Sequence, residues 1–388
     1  MSESFTRIEL LRRGAATGIV LSVPASFLAA CGGNDEEAAG TTTGGKKQLA
    51  KTLRMSNWTL YIDIDEKTKK HPTLEQFKAK YGTTVRYIED VNDNSSFFGK
   101  IQGPLSRGQS IDRDLIVMTD NSRYPALLID KGWVEKLDKS AIPNIKNLQP
   151  ALAHPNWDPN REYSLPWQSG MTGIAFNDKL TDPVLSMDDL LENTKLKGKV
   201  TLLNEMGDTL ACVMQANGDD PGKVTQATFD KALKRIQKSV DSGQIRQFTG
   251  NDYSGPLAKG DLAACMAWSG DIVQLQSSNK NLHWNLPEAG GNIWTDNMLI
   301  PKGGDVYTAS TFMNFVYDPK IAAQIEAYVN YICPVKGAKE VLLKQDPAIA
   351  KNTLIFPTKA MLDNVAIFDA AALANQKYLE TWQNLITS

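Results

Sequence analysis

From residue 52 onward, short apolar runs alternate with stretches of helical period. That alternation confines the chain to layered α/β architectures built on mainly parallel sheets. Residues 53–56, 85–88, 114–118, 198–203, 262–268 and 294–300 read as strands. Between them, Leu74, Phe77 and Tyr81 share one helical face that Gly82 stops, and Phe97, Phe98 and Ile101 begin a second helix. Another helix runs through Ile129 to Gly132, and one near 207–217 ends at Gly218. Ser186 with Asp189 forms a capping box, and Thr225 opens a long helix carrying Phe229, Leu233, Ile236 and Val240. The C-terminal stretch is largely helical, and no internal repeat is visible. At 388 residues the chain is long enough for two α/β lobes.

Ahead of this body, residues 1–30 have the order of a signal peptide. Arg7, Arg12 and Arg13 precede an apolar, small-residue run that ends Leu28-Ala29-Ala30-Cys31. This is the pattern of a bacterial lipobox, cut before the cysteine, so Cys31 is expected to be lipidated. Residues 31–48 then form a tether without large apolar side chains. The pair Arg12-Arg13 leaves both Sec and twin-arginine export open. Residues 40–46 fit the opening of a phosphate-binding loop, but Lys47 stands where Ser or Thr is required and no strand precedes it.

Composition removes several classes. With 42 Lys and Arg against 44 Asp and Glu, the chain has no basic field for nucleic acid. No later apolar run spans a bilayer, so the membrane is reached only through the lipid. Its three His (His71, His154 and His283) form no HExxH pattern and no nucleophile elbow accompanies them; binding is expected rather than catalysis, with no metal and no cofactor. Besides Cys31 there are Cys212, Cys265 and Cys333, without a CxxC pair. One disulfide with a free thiol and three buried thiols both fit.

In open α/β sheets, ligands are met at the carboxyl ends of strands. Those ends carry Trp58, Thr59 and Tyr61; Thr119, Asp120 and Asn121, with Tyr124 a turn later; Glu205 and Asp208; Trp268 and Asp271; and Trp294 with Asp296. Aromatic faces attract ammonium groups and carboxylates accept their N–H bonds, so the recurrence points to an organic cation. Asp208 and Asp271 each lie beside helical sequence, so helix capping and ligand binding both fit. Tyr328 and Tyr331, three apart on an expected helix, read as packing residues.

The sequence also resembles a family. The motifs are N-W-T-x-Y at 57–61, DLIV at 114–117, GWVEKLDKS at 132–140 and YSLPW-x-x-G-x-T-G-I at 163–174. They continue with G-x-L-A-A-C-M-A-W-S-G at 260–270 and G-G-x-x-W-x-D-x-x-x-I-P at 290–301. From about residue 52 to its end the chain is similar to the spermidine/putrescine-binding proteins of bacterial ABC importers. The resemblance implies a two-lobe periplasmic-binding-protein fold, with the ligand cleft between lobes joined by crossing strands. One lobe would hold 49–170 and 295–340, the other 171–294 and 341–388, with crossings near Gly170, Trp294 and Glu340.

By motif, Trp58, Tyr61, Trp268 and Trp294 would wall a polyamine. Asp296 would hold one amine, with Glu205 and Asp208 at the other end and Thr59, Thr119 and Asn251 as hydrogen-bonding neighbours. The partners implied are a permease with its ATPase subunit, met by a monomer. The chain departs from the family where an acid-acid-x-Arg-acid run becomes residues 204–208, without the Arg. It departs again where a glutamine of some members gives way to Phe368. The alternatives are a binding protein for another organic cation or amino-acid derivative, and a sensor lipoprotein of the same fold.

Overall fold

The computed structural model describes residues 47–387 apart from 66 and 92. The expected signal peptide, Cys31 and the tether as far as residue 46 lie outside the described residues. No helix among the described residues is long and apolar enough to cross a membrane.

Ten strands form one mixed sheet: β1 (Thr52–Trp58), β2 (Thr84–Val91), β3 (Leu115–Thr119), β4 (Ser164–Asn177), β5 (Val200–Leu203), β6 (Ile245–Thr249), β7 (Ala264–Trp268), β8 (Leu282–Asn285), β9 (Gly291–Leu299) and β10 (Val365–Ala366). Its order is β2-β1-β3-β9-β4-β7-β5-β6, with β8 on β4 and β10 on β9. Two parallel groups flank an antiparallel ribbon. β2, β1 and β3 run parallel on one side, and β7, β5 and β6 on the other.

The ribbon is β4 with β9, in register from Ser164 opposite Leu299 to Thr172 opposite Asn292. β3 pairs with residues 296–299 of β9, and β7 with residues 172–176 of β4. Each parallel group therefore hangs on a different end of the same two strands. All fourteen residues of β4 are buried, so it lacks the alternation of a half-exposed strand. Its Pro166 sits where the register shifts, as a proline without an N–H requires, and the Tyr317 hydroxyl donates to the Pro166 carbonyl at 2.7 Å.

A third segment meets the ribbon at its middle. Ile332 and Ser169 exchange both backbone hydrogen bonds, at 2.8 and 3.0 Å. The helix that then follows, Ala338–Gln345, packs on the helix Pro319–Val329 beside the first strand group. The helix beginning at Ala338, just before the crossing expected near Glu340, thus finds its apolar partner on the first side. Further on, β10 pairs with the second group's end of β9, Val365 opposite Gly291 and Ala366 opposite Asn292.

The capping box at Ser186 forms as expected, with each of Ser186 and Asp189 accepting from the other's backbone N–H at 3.0 Å. Cys212, Cys265 and Cys333 are buried free thiols, which resolves the two cysteine readings in favour of three sheltered thiols. Burial raises all three above the usual thiol range.

At the centre of the ribbon, Gly170 lies opposite Trp294. A Cβ on Gly170 would stand 2.4 Å from the indole ring. Glycine is required here by close approach, since its φ is not in the left-handed region. Gly170→Ala is expected to cost about 1–3 kcal/mol of unfolding free energy through overpacking, measured by denaturant titration. It should also move Trp294, seen as a change in intrinsic fluorescence.

Candidate ligand-binding site

A cavity of about 460 Å³ opens between the two strand groups. The ends of β1 and β3 line it from one side, those of β5 and β7 from the other, and the ribbon forms its floor. All the sequence-predicted site residues line it except Asp120 and Tyr124: Trp58, Thr59, Tyr61, Thr119, Glu205, Asp208, Asn251, Trp268, Trp294 and Asp296 are brought together there.

The two exceptions have physical reasons. Successive residues of a strand face opposite sides, so Thr119 looks into the cavity and Asp120 away from it. The Asp120 carboxylate instead accepts the Thr295 N–H at 2.8 Å and fastens β3 to β9. Tyr124 stacks on Phe98, with centroids 4.6 Å apart, and its hydroxyl bonds to Ser95 at 2.9 Å. It belongs to the packing of the first group.

Each acid of the cavity is held by neutral donors. Asp296 accepts from the Tyr61 hydroxyl at 2.7 Å and from the Thr119 hydroxyl at 2.6 Å. Asp208, fully buried, accepts from the Thr172 hydroxyl at 2.6 Å, the Asn292 amide at 2.9 Å and the Trp268 indole at 3.1 Å. Asp271 accepts from Asn251, Tyr253 and Tyr331, each at 2.8 Å. Both Asp208 and Asp271 lie in the first turn of a helix, and their oxygens accept from side chains across the cavity wall.

Four more residues line the cavity: Asn121 and Asp271, which the sequence placed at strand ends, Tyr331, which it read as a packing residue, and Asn94, which it did not single out. The expected helix carrying Tyr331 stops earlier: Asn330 adopts φ 59° and ends the helix at Val329. Tyr331 is thereby turned onto Gly270, where a Cβ would stand 2.4 Å from its ring. The signal available in the sequence was that pairing of Asn330 with a glycine beside Trp268. Tyr61, Tyr331, Trp294 and Trp268 then follow one another as an aromatic wall, with successive centroids 5.3, 5.7 and 6.3 Å apart. Phe368 is buried, behind the helix turn that carries Gly207.

Four carboxylates (Glu205, Asp208, Asp271 and Asp296) line the cavity, and no Lys, Arg or His among the described residues does. Burial pushes Asp296 up to about 7, with Asp120 and Asp208 adding repulsion. Burial, with Asp208 and Asp93 nearby, pushes Glu205 up to about 8. Asp208 is raised as well, chiefly by burial. Such a site stabilises positive charge on a ligand with an apolar stem, each ammonium group being held by a carboxylate and the stem by ring faces.

A cationic ligand must lower these acids again. Its affinity is expected to rise as pH increases from about 6 to about 8, with protons released on binding. Calorimetry in buffers of different ionisation enthalpy measures that release. In the free protein the sign is opposite: raised carboxyl pKa values stabilise the fold most at acidic pH, and that contribution is lost as pH rises through about 7 to 8.

Comparison with known proteins agrees with this arrangement. The sequence pattern of bacterial extracellular solute-binding proteins matches residues 73–357. The chain is 24% identical over 337 residues to the spermidine/putrescine-binding periplasmic protein of Escherichia coli K12, covering 86% of this chain and 91% of that protein. It is 28% identical over 357 residues to the putrescine-binding periplasmic protein SpuD of Pseudomonas aeruginosa, covering 86% and 92% respectively. In fold it is similar to a structure described as a putative spermidine/putrescine ABC transporter from Listeria monocytogenes. The TM-score there is 0.74 at 23% identity, over 87% of this chain and 98% of that one. The fold is thus the two-lobed one of periplasmic binding proteins.

Proposed function

Because the chain belongs to the bacterial extracellular solute-binding protein family, we propose that it is the solute-binding component of an ABC importer and takes a polyamine of the spermidine/putrescine class into the cleft. The observation that carries this reading is the charge of the cavity: four carboxylates and an aromatic wall, with no basic side chain among the described lining residues. Each buried ammonium needs a carboxylate, since an unpaired buried charge costs several kcal/mol. The relatives' named ligands have that chemistry.

On this reading Trp58, Tyr61, Trp268 and Trp294 sandwich the methylene chain, Asp296 takes one amine, and Glu205 with Asp208 takes another. Asp271 and Tyr331 join the set on the strength of their position in the cavity wall. On this reading the lobe division runs across the ribbon: residues 49–170 and 295–351 on one side, 171–294 and the chain from β10 on the other. The C-terminal crossing is drawn between the helix Pro347–Lys351 and β10. The ligand meets the open cleft and gains contacts with both lobes only when it closes, so it favours the closed state that the permease reads. The work is binding and delivery. Cys31 carries the lipid that keeps a monomeric protein at the outer face of the cell membrane.

Calorimetry of the soluble chain from residue 49, refolded free of ligand, tests the substrate. Putrescine, spermidine, spermine and agmatine are titrated in turn. One of them is expected to bind at micromolar Kd or tighter. Asp296→Ala should then lose about a hundredfold or more, as when one partner of a buried charge pair is removed. Absence of heat and of any thermal shift with all four would overturn the polyamine reading. For the anchor, mass spectrometry of the membrane fraction is expected to find diacylglycerol on Cys31, and Cys31→Ser should release the protein into the soluble fraction.

A further inference from the structure

Asn94 opens the helix Asn94–Ser106 and is 1% exposed, yet no residue of that helix was expected at the site. Its carboxamide is oriented without ambiguity. The side-chain oxygen accepts the Thr119 backbone N–H at 3.0 Å, a group that only donates. The amide nitrogen must therefore face the Thr119 hydroxyl oxygen, to which it donates at 3.1 Å. A hydroxyl has one hydrogen. With its oxygen occupied as acceptor by Asn94, Thr119 directs that hydrogen to Asp296, at 2.6 Å.

The ionisable groups acting most on Asp296 are Asp120, Asp208 and Tyr61. Each is a carboxyl group or a phenol, so Asn94 acts on Asp296 only through the neutral Thr119 hydroxyl.

The geometry points to Asn94 as a positioning residue: holding both the backbone N–H and the hydroxyl of Thr119, it fixes the direction of the Thr119–Asp296 hydrogen bond and so orients the acid that meets a bound cation. This rests on the reading of the cleft as a polyamine site only for the identity of the cation.

The test uses Asn94→Ala and the isosteric Asn94→Asp. Carbon-13 NMR follows the carboxyl titration of Asp296 in the ligand-free protein, and calorimetry follows the binding of the polyamine that the wild type takes. In Asn94→Ala the Asp296 midpoint is expected to move up, and affinity to fall about tenfold or more, the effect of one hydrogen bond to a charged group. Asn94→Asp keeps the shape but offers an acceptor when ionised. It should bind worse relative to wild type at about pH 8 than at about pH 6, because the introduced carboxylate takes the Thr119 hydrogen from Asp296.

An unmoved Asp296 midpoint in either folded variant, whatever its affinity, would overturn the proposal and reduce Asn94 to a packing residue. If Asn94→Ala fails to fold, Asn94→Asp decides alone by the same two measurements. A midpoint that moves in a protein binding no polyamine would uphold the role of Asn94 and overturn the ligand reading instead.

Discussion

The pairing of β4 with β9 is the constraint on which the rest of the molecule depends. Both parallel strand groups are attached to it, one at each end, and the aromatic floor of the cleft is drawn from its centre. Ordinary strand pairing tolerates side chains of any size on a covered face, but this ribbon needs Gly170 so that the Trp294 ring can lie across it. From there the Trp294 indole donates to the Thr172 hydroxyl at 3.1 Å, and Thr172 donates in turn to Asp208. A change in the ribbon therefore reaches an acid on the far side of the cleft through two hydrogen bonds.

Much of this was legible in the residues, and what was not has identifiable causes. The strand-end positions of Trp58, Glu205, Trp268 and Trp294 could be read because apolar runs marked the strands and the aromatic or acidic residue came directly after or within them. β4 escaped notice because it is buried on both faces and broken by Pro166, Gly170 and Gly173. It has neither alternation nor a clean apolar run. Choosing between Thr119 and Asp120 required knowing which side of β3 faces the cleft, and one residue of phase reverses the answer. Tyr331 depended on the left-handed turn at Asn330, while Asn94 opens a helix rather than following a strand, so the strand-end rule passed over it.

The electrostatics of the cleft follow from a division of labour between donors and charges. Hydroxyls, amides and indoles surround Asp208, Asp271 and Asp296, and they orient the oxygens without cancelling the charge. Neutral donors lower the cost of burying a carboxylate but do not remove it, which leaves Asp296 near 7 and Glu205 near 8. Had a lysine or arginine filled that role, the acids would be satisfied and the site would have no reason to take up a cation. On the proposed reading, these raised acids ionise as a cationic ligand binds, and the aromatic wall sets the shape it must have.

The three thiols carry a different consequence. Cys212, Cys265 and Cys333 are sheltered once the chain has folded, but nothing shelters them before that. Outside the cytoplasm, where the relatives work, the vulnerable species would be any chain still unfolded there, in which any two of the three can be oxidised together. Protection is then a matter of timing: folding must bury the sulfurs faster than oxidants can link them, and a mutation that merely slows folding would surface as covalent misfolding rather than as lost stability.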